Sequence, residues 1–178
     1  GDRILTSEAE YAANYIAYLH VAKRTGVVVE SIPCANSGEV DTKALEDMID
    51  DRVKLISITH IPTNGGLVNP ASEIGRIAKT NNITYLLDAC QSVGQLPIDV
   101  DELGCDILSA TGRKYLRGPR GTGFLFVRKS LLATLEPPMI DLFAARCIVL
   151  PKFRWIGLPV SVLVAASATP YYEIGFVI

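Results

Sequence analysis

Six short apolar runs of strand character, at residues 4–6, 27–32, 53–59, 83–87, 105–109 and 122–127, are separated by longer polar or helix-patterned stretches. This alternation is the strongest constraint on the fold. Strands that repeatedly alternate with helices predict an α/β chain, a three-layer α/β/α arrangement whose mostly parallel sheet is covered on both faces. The first helix is expected after Ser7-Glu8-Ala9-Glu10, which has the spacing of a capping box. Ala13, Ile16, Ala17 and Val21 then recur at helical intervals up to Thr25-Gly26. Asp41 is placed to cap a second helix with Ala44, Leu45, Met48 and Ile49 on one face. A third opens at Asn69-Pro70, turns Ile74, Ile77 and Ala78 inward and stops at Asn81-Asn82. The loops that follow all six strands are expected to converge on one sheet edge, the place where open α/β sheets bind ligands.

The charge balance narrows the function classes. Seventeen basic and 19 acidic side chains leave a formal charge of −2, so no polyanion, and hence no nucleic acid, is expected as a partner. Cys34, Cys90, Cys105 and Cys147 have no metal-ligand spacing, and the apolar settings of three of them suit buried free thiols in a reducing, cytoplasmic compartment. Gly1-Asp2-Arg3 leads straight into a strand without the pattern of a signal peptide, like a start inside a domain. The composition changes beyond residue 145. Residues 155–172 are 18 uncharged positions, but Pro159 and Pro170 bracket an apolar core too short to cross a bilayer, so no membrane span is expected. Residues 1–145 are read as one unit and 146–178 as an apolar tail that packs on the sheet or between subunits.

The chemistry is concentrated in two motifs. Ser109-Ala110-Thr111-Gly112-Arg113-Lys114, followed by Gly118-Pro119-Arg120-Gly121-Thr122-Gly123, isolates Lys114 between a strand end and a flexible loop. Asp88-Ala89-Cys90-Gln91, beginning 26 residues upstream, sets a carboxylate at the end of a second strand of the same sheet. An amine facing a buried carboxylate suggests pyridoxal phosphate, held as a Schiff base by the one and kept protonated on its pyridine nitrogen by the other. Plainer readings accompany each residue: a surface lysine in a basic loop, an aspartate shaping a turn, a partly exposed core tyrosine at Tyr11, a structural histidine at His60.

These motifs, with Thr6-Ser7-Glu8-Ala9-Glu10-Tyr11, Thr59-His60-Ile61-Pro62-Thr63-Asn64-Gly65-Gly66-Leu67-Val68-Asn69-Pro70 and Ser92-Val93-Gly94, resemble the class V aminotransferases over residues 1–145. That group of fold-type I pyridoxal phosphate enzymes includes cysteine desulfurases, selenocysteine lyases and isopenicillin N epimerase-like proteins. The resemblance implies that residues 1–145 are the central part of the cofactor-binding large domain, acting on an amino acid as a homodimer. It makes Lys114 the anchor and the base that moves the substrate α-proton, and pairs Asp88 with the pyridine nitrogen. By the same resemblance Gln91 faces the phenolate oxygen, Tyr11 stacks on the ring, Thr111 and Arg113 hold the phosphate and Thr63 lies beside the ring. Arg113 departs from the group, which commonly has histidine there, and removes a titratable imidazole. Transamination, lyase or desulfurase chemistry and epimerisation all remain open on these residues, as does a catalytically incomplete fragment. A dinucleotide-binding domain is disfavoured because the glycine fingerprint between first strand and helix is missing.

Overall fold

The computed structural model describes residues 1–132 and 134–135; the apolar tail and Cys147 lie outside the described residues. Six strands form a single sheet in the order β2-β1-β3-β4-β5-β6. They are β1 (Arg3–Ser7), β2 (Val28–Ile32), β3 (Val53–Thr59), β4 (Thr84–Asp88), β5 (Ile107–Thr111) and β6 (Gly123–Val127). The first five run parallel, whereas β6 returns antiparallel to β5. The expectation that every strand empties onto the same edge is therefore corrected at β6. The glycine-rich segment after β5 is short enough to turn the chain straight back, while a parallel neighbour would need a crossover of a dozen or more residues.

Three helices connect the parallel strands: α1 (Ala12–Thr25), α2 (Thr42–Met48) and α3 (Ala71–Thr80). The chain runs outward from β1 to β2 and then back across to β3, so right-handed crossovers put α1 on one face and α2 on the other. Packing on the two faces is unequal. Leu45 of α2 and Ile74, Ile77 and Ala78 of α3 join Leu5, Ile56, Ile58, Tyr85, Leu87 and Leu108 of the sheet in one buried cluster, to which α1 contributes nothing. Asp41 caps α2 as its sequence position predicts, accepting from the amides of Lys43 at 2.9 Å and Ala44 at 3.0 Å.

Helix α1 departs from its sequence pattern. Ser7 ends β1 instead of capping a helix, its buried hydroxyl has no hydrogen-bond partner among the described residues, and the helix begins only after Tyr11. Ala13, Ile16, Ala17 and Val21 point to solvent, while Asn14, Tyr15, Tyr18 and Ala22 are the half-buried positions. A polar anchor sets this rotation. Tyr18 bonds the Ser57 hydroxyl at 2.6 Å, and Asn14 reaches two carboxylates at the sheet edge, so hydrogen bonding outweighs the weak apolar stripe.

Candidate functional site

The carboxyl ends of β1, β3, β4 and β5 lie along one edge of the sheet, and strand order reverses between β1 and β3, the kind of place where open α/β sheets bind ligands. Asp88 closes β4 and is 6% exposed. Its Oδ1 accepts from the amide of Cys90 at 2.8 Å and its Oδ2 from Nδ2 of Asn14, also at 2.8 Å. A carboxylate offers about four lone-pair sites, so two donors leave capacity for a further N–H.

Thr111 ends β5, and Gly112 then turns the chain, bonding its amide to the Thr122 carbonyl at 2.6 Å and its carbonyl to the Gly118 amide at 2.7 Å. Lys114 is half-buried in the resulting loop, with Nζ 5.7 Å from the centre of the Tyr11 ring. Tyr11 itself is 43% exposed, immediately before the first turn of α1. Gly94 lets the Asp88 loop meet the Lys114 loop: its φ is +90°, and a Cβ there would stand 2.8 Å from the Tyr115 carbonyl. Two loops far apart in sequence thus touch backbone to backbone.

Cys90 lies between these groups. Burial, and then the charge of Asp88, push its thiol up to about 12, while the charge of Lys114 and the Thr111 amide act in the opposite sense. The thiol is therefore protonated at neutral pH and is not an activated nucleophile. His60 is buried, its Nδ1 lies 3.0 Å from the Ser92 hydroxyl, and desolvation lowers its pKa, so it is a neutral, hydrogen-bonded histidine. Gln91 is half-buried, while Arg113, Thr63 and Asn64 are exposed on the loops that follow β5 and β3.

Sequence reasoning missed Glu10 and Asn14 as members of this region. Glu10 accepts from Thr6 Oγ1 at 3.0 Å, the Thr59 amide at 3.2 Å, the Thr59 hydroxyl, the Tyr11 amide at 2.9 Å and Asn14 Nδ2 at 3.0 Å. It joins the ends of β1 and β3. The available signal was a carboxylate and an amide four residues apart immediately after a strand, a spacing that puts both on one side of a first helical turn.

The site suits a flat, anionic cofactor with a protonated ring nitrogen. Asp88 is a buried acceptor with lone pairs to spare, Tyr11 offers an aromatic face, and Lys114 is a lone amine at the edge. Thr111 adds a buried hydroxyl without a partner among the described residues, which an anionic oxygen would satisfy. Among the described residues no group of histidine, cysteine and carboxylate side chains could hold a metal ion, and no helix is long and apolar enough to cross a membrane.

Known proteins share this framework. A probable cysteine desulfurase of Methanothermobacter thermautotrophicus is 36% identical over 140 residues, 79% of this chain and 35% of its own length. The apo structure of the cysteine desulfurase from Thermococcus onnurineus NA1 superposes with a TM-score of 0.74 at 31% identity, covering 79% of this chain and 35% of that one. A C-DES variant with glycine covalently linked to its pyridoxal phosphate cofactor gives a TM-score of 0.73 at 26% identity over 79% of this chain and 38% of that one. The chain thus spans about a third of the length of these relatives. The family model of the class V aminotransferases matches residues 1–159. With this match and the shared mostly parallel sheet, the chain belongs to the class V aminotransferase family.

Proposed function

We propose that this chain is the cofactor-carrying portion of a pyridoxal-phosphate-dependent enzyme that acts on an amino acid. The observation that carries the reading is the meeting, at one sheet edge, of the buried Asp88 carboxylate, the half-buried Lys114 amine and the Tyr11 ring. When bound, the cofactor supplies an electron sink for charge at the substrate α-carbon. The protein's part is to hold and orient it. Asp88 would accept from the ring N–H, Tyr11 would cover one ring face, Gln91 would donate to the phenolate oxygen and Thr63 would lie beside the ring. Thr111 offers its unpaired hydroxyl to the phosphate, and Arg113 adds a permanent positive charge that a histidine there would lose on deprotonation. Lys114 would be the amine that anchors the cofactor and the base that takes and returns the substrate α-proton at Nζ.

The relatives' names favour a desulfurase acting on cysteine over a transaminase. On that reading the nucleophile that receives sulfur is not Cys90, because its thiol is held protonated. A second copy of the chain is the expected partner, in a cytoplasm where free thiols persist. Borohydride reduction in the presence of pyridoxal phosphate is expected to fix a pyridoxyl group on Lys114, and Lys114→Ala to abolish it. Modification scattered over exposed lysines such as Lys43 and Lys79 overturns the assignment.

A further inference from the structure

The hydrogen bonds around Asp88 identify residues behind the cofactor-facing groups. Asn14 Nδ2 carries two protons and spends them on two carboxylates, one on Asp88 Oδ2 at 2.8 Å and one on Glu10 Oε1 at 3.0 Å. Two carboxylates this close to a shared partner would repel each other if nothing stood between them, so an amide that can only donate at this nitrogen is the group that lets both point inward. Glu10 is itself immobilised. Its two oxygens are held by Thr6 at the end of β1, by the amide and hydroxyl of Thr59 at the end of β3, and by the Tyr11 amide at the start of α1.

We propose that Asn14, held by Glu10, is a positioning residue that sets the orientation of the Asp88 carboxylate toward the ring nitrogen of the bound cofactor. The inference deepens the pyridoxal phosphate reading and rests on it for its ligand, but the positioning itself is a property of the unloaded chain. Three features carry it. Asp88 has two donors, Asn14 and the Cys90 amide, one on each oxygen, so the plane of the carboxylate follows from where those two donors sit. Asn14 belongs to α1, which buries no residue in the apolar core, so the polar contacts of Asn14 and Tyr18 fix the helix against the sheet. Tyr11 precedes this first turn of α1 and gives its amide to Glu10, so one network sets both the Asp88 carboxylate and the Tyr11 ring.

The test uses the 178-residue chain with and without cofactor. Asn14→Leu keeps the branched shape and removes both donors, while Asn14→Gln keeps the amide on a longer stem. In the cofactor-free crystal structure Asp88 is expected to turn or split into two orientations in the leucine variant and to keep one in the glutamine variant. With pyridoxal phosphate labelled at the ring nitrogen, the leucine variant is expected to shift the 15N signal toward neutral pyridine and to bind roughly tenfold more weakly. Glutamine is expected to restore the pyridinium signal at least in part, which a merely structural role for Asn14 has no reason to do. An unaltered Asp88 orientation in the leucine variant, or a wild-type 15N shift from a loaded leucine variant, overturns the inference. Failure of the wild-type chain to take up cofactor at Lys114 overturns the pyridoxal phosphate reading instead, and the Asp88 orientation in the unloaded crystals still decides the role of Asn14.

Discussion

Cys90 shows how much one position depends on its neighbours. In sequence it is a small residue in a turn beside an aspartate; in the fold it sits under Asp88 with the Lys114 amine nearby, and burial dominates its ionisation. Lowering a thiol pKa takes a net positive, accessible setting, and here the stronger charge effect is that of the Asp88 carboxylate. At pH 8 its alkylation by iodoacetamide is expected to be slower than that of an exposed thiol by roughly a thousandfold, following the thiolate fraction. The rate should climb about tenfold per pH unit until it approaches the thiol pKa. Mass spectrometry of the alkylated native chain measures this directly, and rapid labelling of Cys90 at neutral pH would contradict the placement of its thiol.

Among the elements, the loops that hold the site are fitted more tightly than their glycine-rich composition implies. Gly94 and Gly75 both lie against backbone, yet they guard different things. A Cβ on Gly75 would meet the Leu103 carbonyl at 2.1 Å, between α3 and the segment leading into β5. Gly75→Ala is therefore expected to destabilise the whole chain by about 1–3 kcal/mol. Gly94→Ala combines a left-handed φ with a 2.8 Å clash against the loop of Lys114, where a surface turn can move away. Its expected effect is a modest loss of stability with a larger loss of cofactor labelling at Lys114, read by denaturation and borohydride trapping side by side. Equal losses in both readouts for the two variants would mean that the Gly94 contact does not position the lysine loop. Helix α1 is the opposite case, an element in which Ala13, Ile16, Ala17 and Val21 recur at helical intervals yet are left in solvent by the tertiary contacts.

At the scale of the whole molecule, burial of ionisable groups sets the alkaline limit of stability. The folded chain raises Cys90 from 9.0 to about 12, Cys105 from 9.0 to about 11 and Tyr18 from 10.0 to about 12, each chiefly by desolvation. All three are neutral when protonated, so the folded state holds its protons more tightly than the unfolded state. Their contribution is fully present below about pH 9 and is lost as pH rises toward the folded values, because the unfolded chain ionises first. Urea unfolding across this range is expected to show stability falling from about pH 9 upward, with Tyr18→Phe flattening part of the fall above about pH 10. A level profile from about pH 8 to 11 would show that these side chains are not buried as described.

The strands at 53–59, the cap at Asp41 and the inward face of α3 were legible in the sequence because each depends on local pattern: apolar runs, a short acceptor before a helix, a clean 3.6-residue stripe. The placement of the Asp88 and Lys114 motifs after neighbouring strands of one sheet was legible too, since parallel strands bring their carboxyl ends to one edge. The reversal at β6, the rotation of α1 and the bridge from Glu10 through Asn14 to Asp88 were decided only in three dimensions. Each joins groups far apart in sequence, Asn14 and Asp88 by 74 residues and Thr59 and Glu10 by 49. Local sequence states what a side chain can donate or accept; the partner that is within reach is settled by how the strands are ordered across the sheet.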